Sequence, residues 1–190
     1  MSRILCAWSP TWAIANWRRR NASQTAEPPE GPPPPFALVE TVKQARRLAA
    51  VSREAAGLGL YVGQKATDAA ALVPELQTAD AEPEADAQAL RELVHWCVRF
   101  SPAVAADPPD GLFLDISGVA HLWGGEVEMM VDFRARLCAN GLFFRLAVAD
   151  TPGAAWALAH HGADGTIAPP NEQGGLLAPL PPEALRLEPQ

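Results

Sequence analysis

The sequence predicts an α+β fold of the split βαβ, ferredoxin-like kind, with helices covering a sheet that contains a hairpin. Three observations predict it. Two short apolar runs, 103–106 and 112–116, flank the turn Asp107-Pro108-Pro109-Asp110-Gly111, a hairpin signature. Residues 83–100 repeat apolar side chains at spacings of three and four, which makes a helix with one buried face. Strand-like and helix-like runs alternate along the rest of the chain, without an internal repeat.

In chain order, residues 3–7 are a short apolar strand stopped by Trp8-Ser9-Pro10-Thr11. Residues 11–20 read as a helix with Trp12, Ile14 and Trp17 on a partial apolar face; Arg18, Arg19 and Arg20 close it, where cations suit the negative pole of the helix. Residues 21–35 form a solvated loop, and six of the 19 prolines fall within 28–35. The run 36–42 is a strand paired with 47–52. Residues 52–57 make a helical turn stopped by Gly57 and Gly59, and 67–72 make another, capped by Thr67 with Asp68 in its first turn. An acidic loop, 79–84, leads into the helix 83–100, whose core face is Ala87, Leu90, Val94, Cys97 and Val98. After the hairpin come an amphipathic helix at 126–139, a strand at 143–149, an alanine-rich helix at 152–161 and a last strand at 166–168.

With 190 residues, 48% hydrophobic and 19% charged, the chain is neither wholly disordered nor fibrous. Its longest uncharged stretch, 4–17, contains Pro10 and is shorter than the ~20 residues a membrane helix needs. The apolar run after Arg3 is also too short for a secretion signal, so a cytoplasmic location is expected. Cys6, Cys97 and Cys138 form neither a disulfide framework nor a zinc spacing and read as small buried hydrophobes. The net charge of −7 is uneven: nine Arg and Lys face four Asp and Glu in 1–65, whereas six face eighteen in 66–190. Only the first third favours a phosphate backbone.

Nucleophile-base pairs and metal-ligand spacings are missing from this sequence, and so is a phosphate-binding glycine loop. His160 and His161 are neighbours, about 100° apart on a helix, and read as a helix-end pair facing solvent. Asp110 at the hairpin turn and Asp115 near the end of the next strand fit two readings. They are carboxylates for two-metal phosphoryl transfer, or else a turn residue and a cap on 116–123.

The segment Pro108-Pro109-Asp110-Gly111-Leu112-Phe113-Leu114-Asp115-Ile116 resembles the palm signature of Y-family (translesion) DNA polymerases, Ser-Ile-Asp-Glu-Ala-aromatic-Leu-Asp. The similarity continues through 51–63, Arg99-Phe100-Ser101-Pro102 and Leu180-Pro181-Pro182-Glu183-Ala184-Leu185. It is nearest to the catalytically degenerate ImuB-like branch, on Trp8-Ser9-Pro10-Thr11-Trp12, on 35–39, on 114–125 and on 149–157. The resemblance implies a palm at 1–20 and 79–179, a fingers module at 36–78 and the start of a thumb at 180–190, so that the chain is a palm and fingers unit.

The departures from the family pattern imply lost catalysis. Where active relatives carry a metal-binding Asp, this chain has Trp8-Ser9-Pro10, and its first acid is Glu27. Gly111 replaces the Glu that follows the retained, vestigial Asp110. The residues that hold the incoming nucleotide fall at Arg53, Ala56 and Trp156. No metal or cofactor is therefore expected, with Mg²⁺ required only if the chain is an active nucleotidyltransferase using Asp110 and Asp115. Trp8, Trp12 or Trp156 is expected to fill the emptied site. The implied role is a scaffold in damage-induced (SOS) mutagenesis and translesion synthesis. Its implied partners are a RecA-like ImuA-type protein, an error-prone DnaE-type polymerase and, through a tail, the sliding clamp; Gln173-Gly174-Gly175-Leu176-Leu177 reads as loop and helix start rather than as a clamp motif. Weak duplex binding, ~10⁻⁴ M or weaker, falls to Arg18, Arg19, Arg20, Arg46, Arg47 and Arg53. An α/β binding domain unrelated to polymerases is the remaining reading.

Overall fold

The computed structural model describes residues 2–21 and 33–186. Most of the expected proline-rich loop, 22–32, lies outside the described residues, as does 187–190. Strand β1 (Ile4–Trp8) leads to helix α1 (Trp12–Arg20), strands β2 (Phe36–Val42) and β3 (Ala45–Val51), helices α2 (Arg53–Gly57) and α3 (Ala66–Leu72), and strand β4 (Gln77–Asp80). Helix α4 (Pro83–Cys97) precedes β5 (Val104–Asp107), β6 (Gly111–Asp115), a 3₁₀ turn at Ala120–Trp123 and α5 (Glu126–Ala139). The chain continues through β7 (Arg145–Ala149), α6 (Pro152–His161), β8 (Thr166–Ile167), α7 (Gln173–Leu177) and a 3₁₀ turn at Pro182–Leu185. It forms two units, Met1–Pro10 with Ala87–Gln190, and Thr11–Asp86.

The first unit is a five-stranded sheet in the order β5-β6-β1-β7-β8, with β1 antiparallel to both β6 and β7. A central strand is covered on both faces, which explains why Ile4, Leu5, Cys6 and Ala7 are all buried. Ile4 and Cys6 pack against Ala154, Ala155, Leu158 and Ala159 of α6. Small alanines let this helix approach the sheet closely. Thr151 starts it, accepting a bond from the Ala154 amide, with Pro152 in the first turn. Burial pushes the thiols of Cys6 and Cys97 up, the latter to about 12, while Cys138 is exposed rather than buried.

On α4 the inward face in this unit is Leu90, Leu93 and Cys97, continued by Phe100. Ala87 is exposed and Val98 is 48% exposed, contrary to the expected face. The helix ends at Cys97, so Val98 belongs to the turn beyond it and the helical spacing no longer aims it inward.

The second unit is a three-stranded sheet, β3-β2-β4, with β2 antiparallel to β3 and parallel to β4. Strand β4 lies partly in the segment read as an acidic loop; three of its four residues are polar, and pairing with β2 makes them a strand. The structure groups α1 with this unit. Trp12 Nε1 donates to the Asp86 carbonyl at 3.1 Å, Asn16 Nδ2 to Asp86 Oδ1 at 2.6 Å, and Ile14 packs with Phe36 and Leu38. Ser52 caps α2, and Gly59 at φ +87° follows its end. Helix α3 begins at Ala66, after Lys65, with no side-chain cap. Lys65 is held extended by a bridge to Arg47, while the expected cap, Thr67, bonds to Asp68 instead. No helix among the described residues is long and apolar enough to cross a membrane.

Candidate functional site

The pairing of β1 with β6 sets Trp8 opposite Gly111, which puts the indole beside Asp110 at the hairpin turn. Trp8 Nε1 donates to Asp110 Oδ2 at 3.1 Å, and the Ser9 amide donates to the Asp110 carbonyl at 2.9 Å. Burial raises the Asp110 carboxyl above its ordinary range; the Trp8 bond pulls it down, and nearby Asp107 adds to the rise. Gly111 has no room to spare. A Cβ there would lie 3.2 Å from the Asp107 carbonyl and 3.3 Å from that of Ala7, so the close approach of turn and strand calls for glycine.

A column of rings covers this end of the sheet. The Trp8 indole stacks on His160 with centroids 4.1 Å apart, and His160 stacks on Trp156 at 3.8 Å. The Arg186 guanidinium lies 4.4 Å from the Trp156 centroid and pairs with Asp107, and the Arg145 guanidinium is 5.9 Å from the Trp8 ring. His160 was expected to face solvent and does not. It is half-buried between two indoles, and its Nδ1 donates to the Trp156 carbonyl at 2.9 Å. Burial penalises the cation and lowers its pKa from 6.5 to about 4. His161 is exposed, as expected. Trp8 and Trp156 thus occupy this face, whereas Trp12 is buried in the second unit.

Asp110 and Asp115 do not converge. They flank the two ends of β6, which at ~3.3 Å per residue separates their backbones by about 17 Å. Asp115 Oδ1 accepts the Ser117 amide at 2.9 Å, so the turn-and-cap reading describes its place and the paired-ligand reading does not. Among the described residues no group of three or more His, Cys, Asp or Glu could hold a metal ion. The side chains at the end of β1 do not fit a two-metal carboxylate centre, because one carboxylate faces an indole and the other is paired with Arg186.

The six arginines named as DNA contacts all lie in the second unit. Arg18 sits 3.8 Å from Glu54, Arg20 lies 3.6 Å from Glu82 and 3.8 Å from Asp86, and Arg46 pairs with Asp80. Arg47 donates to the Gly63 carbonyl at 2.7 Å, and Arg19 and Arg53 are exposed. Arg53 opens α2 with Ala56 one turn on, also exposed. Gln173 accepts the Asp150 amide at 3.1 Å and Leu177 packs on the core, so two of the three side chains of 173–177 are engaged within the unit, while Leu176 is exposed.

Two residues of consequence were not singled out from the sequence. Arg3 opens an apolar strand and is 7% exposed, bonded to Glu126 through Nε and Nη2 at 2.6 Å each, to Asp150 at 2.9 Å and to the Ala168 carbonyl at 2.8 Å. Its signal was a charge abutting a wholly apolar run. Arg186, the other, carried no signal, because its partners are remote in sequence.

Residues 24–160 match the IMS family, described as the impB/mucB/samB family. The chain is 62% identical over 130 residues to Protein ImuB of Caulobacter vibrioides (strain NA1000 / CB15N), covering 68% of this chain and 28% of that protein. Protein ImuB of strain ATCC 19089 gives the same figures. The match therefore takes in only about a quarter of these relatives' length. Among solved structures, a post-insertion binary complex of Dbh DNA polymerase is similar with a TM-score of 0.78 and 14% identity, over 97% of this chain and 53% of that one. DinB from Sulfolobus solfataricus gives 0.70 and 13%, over 90% and 49%. A Y-family DNA polymerase chimera of Dbh gives 0.70 and 15%, over 89% and 49%. The fold is that of the Y-family DNA polymerases.

Proposed function

We propose, from the premise that this chain belongs to the impB/mucB/samB family, that it is a polymerase-shaped module which transfers no nucleotides and acts instead as a scaffold in DNA-damage-induced mutagenesis and translesion synthesis, recruiting an error-prone polymerase. The observation that carries this reading is the Trp8 indole hydrogen-bonded to Asp110 at the end of β1. Two-metal phosphoryl transfer needs oxygen ligands converging on ions ~3.5 to 4 Å apart. Here the strand end supplies an N–H donor, Gly111 supplies no side chain, and Asp107 is neutralised by Arg186. What remains is surface for binding partners. The partners we propose are a RecA-like ImuA-type protein, an error-prone DnaE-type polymerase and, through a further tail, the sliding clamp. Contact with duplex DNA is weak and runs through Arg19, Arg47 and Arg53 with their neighbours.

Primer extension by the full chain with Mg²⁺ and all four deoxynucleotides tests the reading. No extension is expected, and none after Gly111→Glu, whose Cβ would meet backbone carbonyls at 3.2 and 3.3 Å. Extension that disappears with Asp110→Ala would establish an active polymerase instead. Titration of labelled duplex at two salt concentrations checks the DNA contact: binding should be weak, fall with salt, and weaken further when Arg18, Arg19 and Arg20 are replaced together by alanine.

A further inference from the structure

At the Asp115 end of β6, where Ser101 Oγ donates to the Asp115 carbonyl, the first unit carries an open groove of about 260 Å³. Val98, Arg99, Phe100, Pro102, Leu122 and Trp123 are among its lining residues. Phe100 is stacked on Trp123 at 4.6 Å and set edge-on against Phe133 at 4.9 Å, which gives the groove a rigid aromatic floor. Val98, 48% exposed, and Leu122, 72% exposed, stand at its lip. Leucine at that exposure on a 3₁₀ turn gains nothing from the fold around it.

The charge beside this apolar surface is unbalanced. Arg134, Arg136 and Arg186 of the same unit pair with Asp164, Asp132 and Asp107. The Arg99 guanidinium instead lies 4.6 Å from the Trp96 ring, with Nε donating to the Trp96 carbonyl at 3.0 Å. Its Nη1 and Nη2 have no partner among the described residues. The ring behind it and the Nε bond fix the plane of the fork, which lowers the entropy cost of receiving a planar carboxylate.

We infer that this groove docks a segment of a partner protein in which a bulky apolar side chain stands next to a carboxylate. The apolar group covers Leu122 and Val98 over the aromatic floor, and the carboxylate takes the free edge of Arg99. Residues 66–190 carry six Arg against eighteen Asp and Glu, so a phosphate chain with a charge on every nucleotide is repelled more strongly than a short peptide whose carboxylate lands on Arg99.

Chemical-shift mapping on the uniformly ¹⁵N-labelled full chain tests this with defined probes. One is an octapeptide, blocked at both ends, with two adjacent leucines between two glutamates; the other has glutamines in place of the glutamates. The glutamate peptide should shift the amides of 98–101 and 120–123, and the glutamine peptide should bind about tenfold more weakly. Arg99→Ala should erase that difference, and Arg99→Lys, which keeps the charge without the fork, should restore part of it. Equal affinity for the two peptides, or shifts confined to other residues, overturns the proposal. So does a short single-stranded oligonucleotide that moves the same amides in an Arg99-dependent way while the peptides leave them still.

Discussion

At its first end β1 is preceded by Arg3, which is 7% exposed yet keeps its charge, because two carboxylates and a carbonyl surround it at 2.6 to 2.9 Å. At its last end β1 places Trp8, and the carboxylate that faces it, Asp110, is desolvated and raised in pKa rather than matched by a cation. The contrast extends to their partners. Bonds from the Asn171 amide and Arg3 hold Asp150 below the usual carboxylate range, whereas burial between indoles keeps His160 neutral down to about 4. One strand therefore shows two ways of closing a sheet end: complete pairing of charge at the first, and exchange of charge for rings at the second.

Removing the charge at the first end should cost most. Arg3→Met leaves Glu126 and Asp150 facing each other without a cation, and a loss of about 3 kcal/mol is expected in urea unfolding, as for other broken buried pairs. A loss below about 1 kcal/mol would erase the contrast, since buried pairs broken on one side cost more. At the second end, Trp156→Ala strips the ring between His160 and Arg186. Because that indole is partly exposed, about 2 to 3 kcal/mol is expected, and an NMR titration should find His160 rising from about 4 toward 6.5.

The pH dependence sharpens the comparison. The folded value of His160 lies below its ordinary 6.5, so the unfolded chain takes up the proton first. Its contribution is complete above about 6.5 and is lost as the pH falls toward about 4. Asp110 is raised and acts in the opposite direction, favouring the fold as the pH falls through its own shifted value toward 3.8. After allowance for the half-exposure of His160, about 1 to 2 kcal/mol of pH-dependent stability is expected over this window. His160→Gln should flatten that slope in unfolding curves recorded between pH 4 and 7. The smallest effect belongs to Trp8→Phe, which retains a ring on His160 but removes the donor to Asp110. About 1 kcal/mol should be lost, and the Asp110 carboxyl should move further up; an unchanged titration would mean that the 3.1 Å contact carries no weight.

Much of the fold was legible because it is local. The turn 107–111 announced its hairpin, Thr151-Pro152 its helix start, and the family resemblance fixed the order of the elements around them. Strand β4 was not legible, since Gln77-Thr78-Ala79-Asp80 acquires strand structure only by lying beside β2. The cap expected of Thr67 failed for a similar reason: a bridge from Arg47 positions Lys65 first. At the site, the absence of any acid before Glu27 and of a side chain at 111 could be read directly from the chain. The fate of His160 could not, because helical periodicity says which residues share a face but not that Trp8, from the other end of the chain, would lie on top of one of them. The burial of Arg3 likewise depends on Glu126 and Asp150, which no spacing rule connects to it.

The grip of Arg186 on Trp156 and Asp107 also has a mechanical side. Arg186 takes a left-handed turn at φ 56° and is held by two kinds of contact, its guanidinium over the Trp156 and Phe113 rings and one ion pair to Asp107, both partly open to water. Tension on the chain beyond it would load these two contacts before the backbone ladder of the sheet. They shear one at a time, whereas β1 is laced to both neighbours along its whole length. Under force, the turn Pro182–Leu185 should peel from the ring column at low load and leave the five strands intact, a compliant hinge mounted on a stiff plate. Optical-trap extension from a handle placed after Arg186 should show a small early rip that Arg186→Ala abolishes.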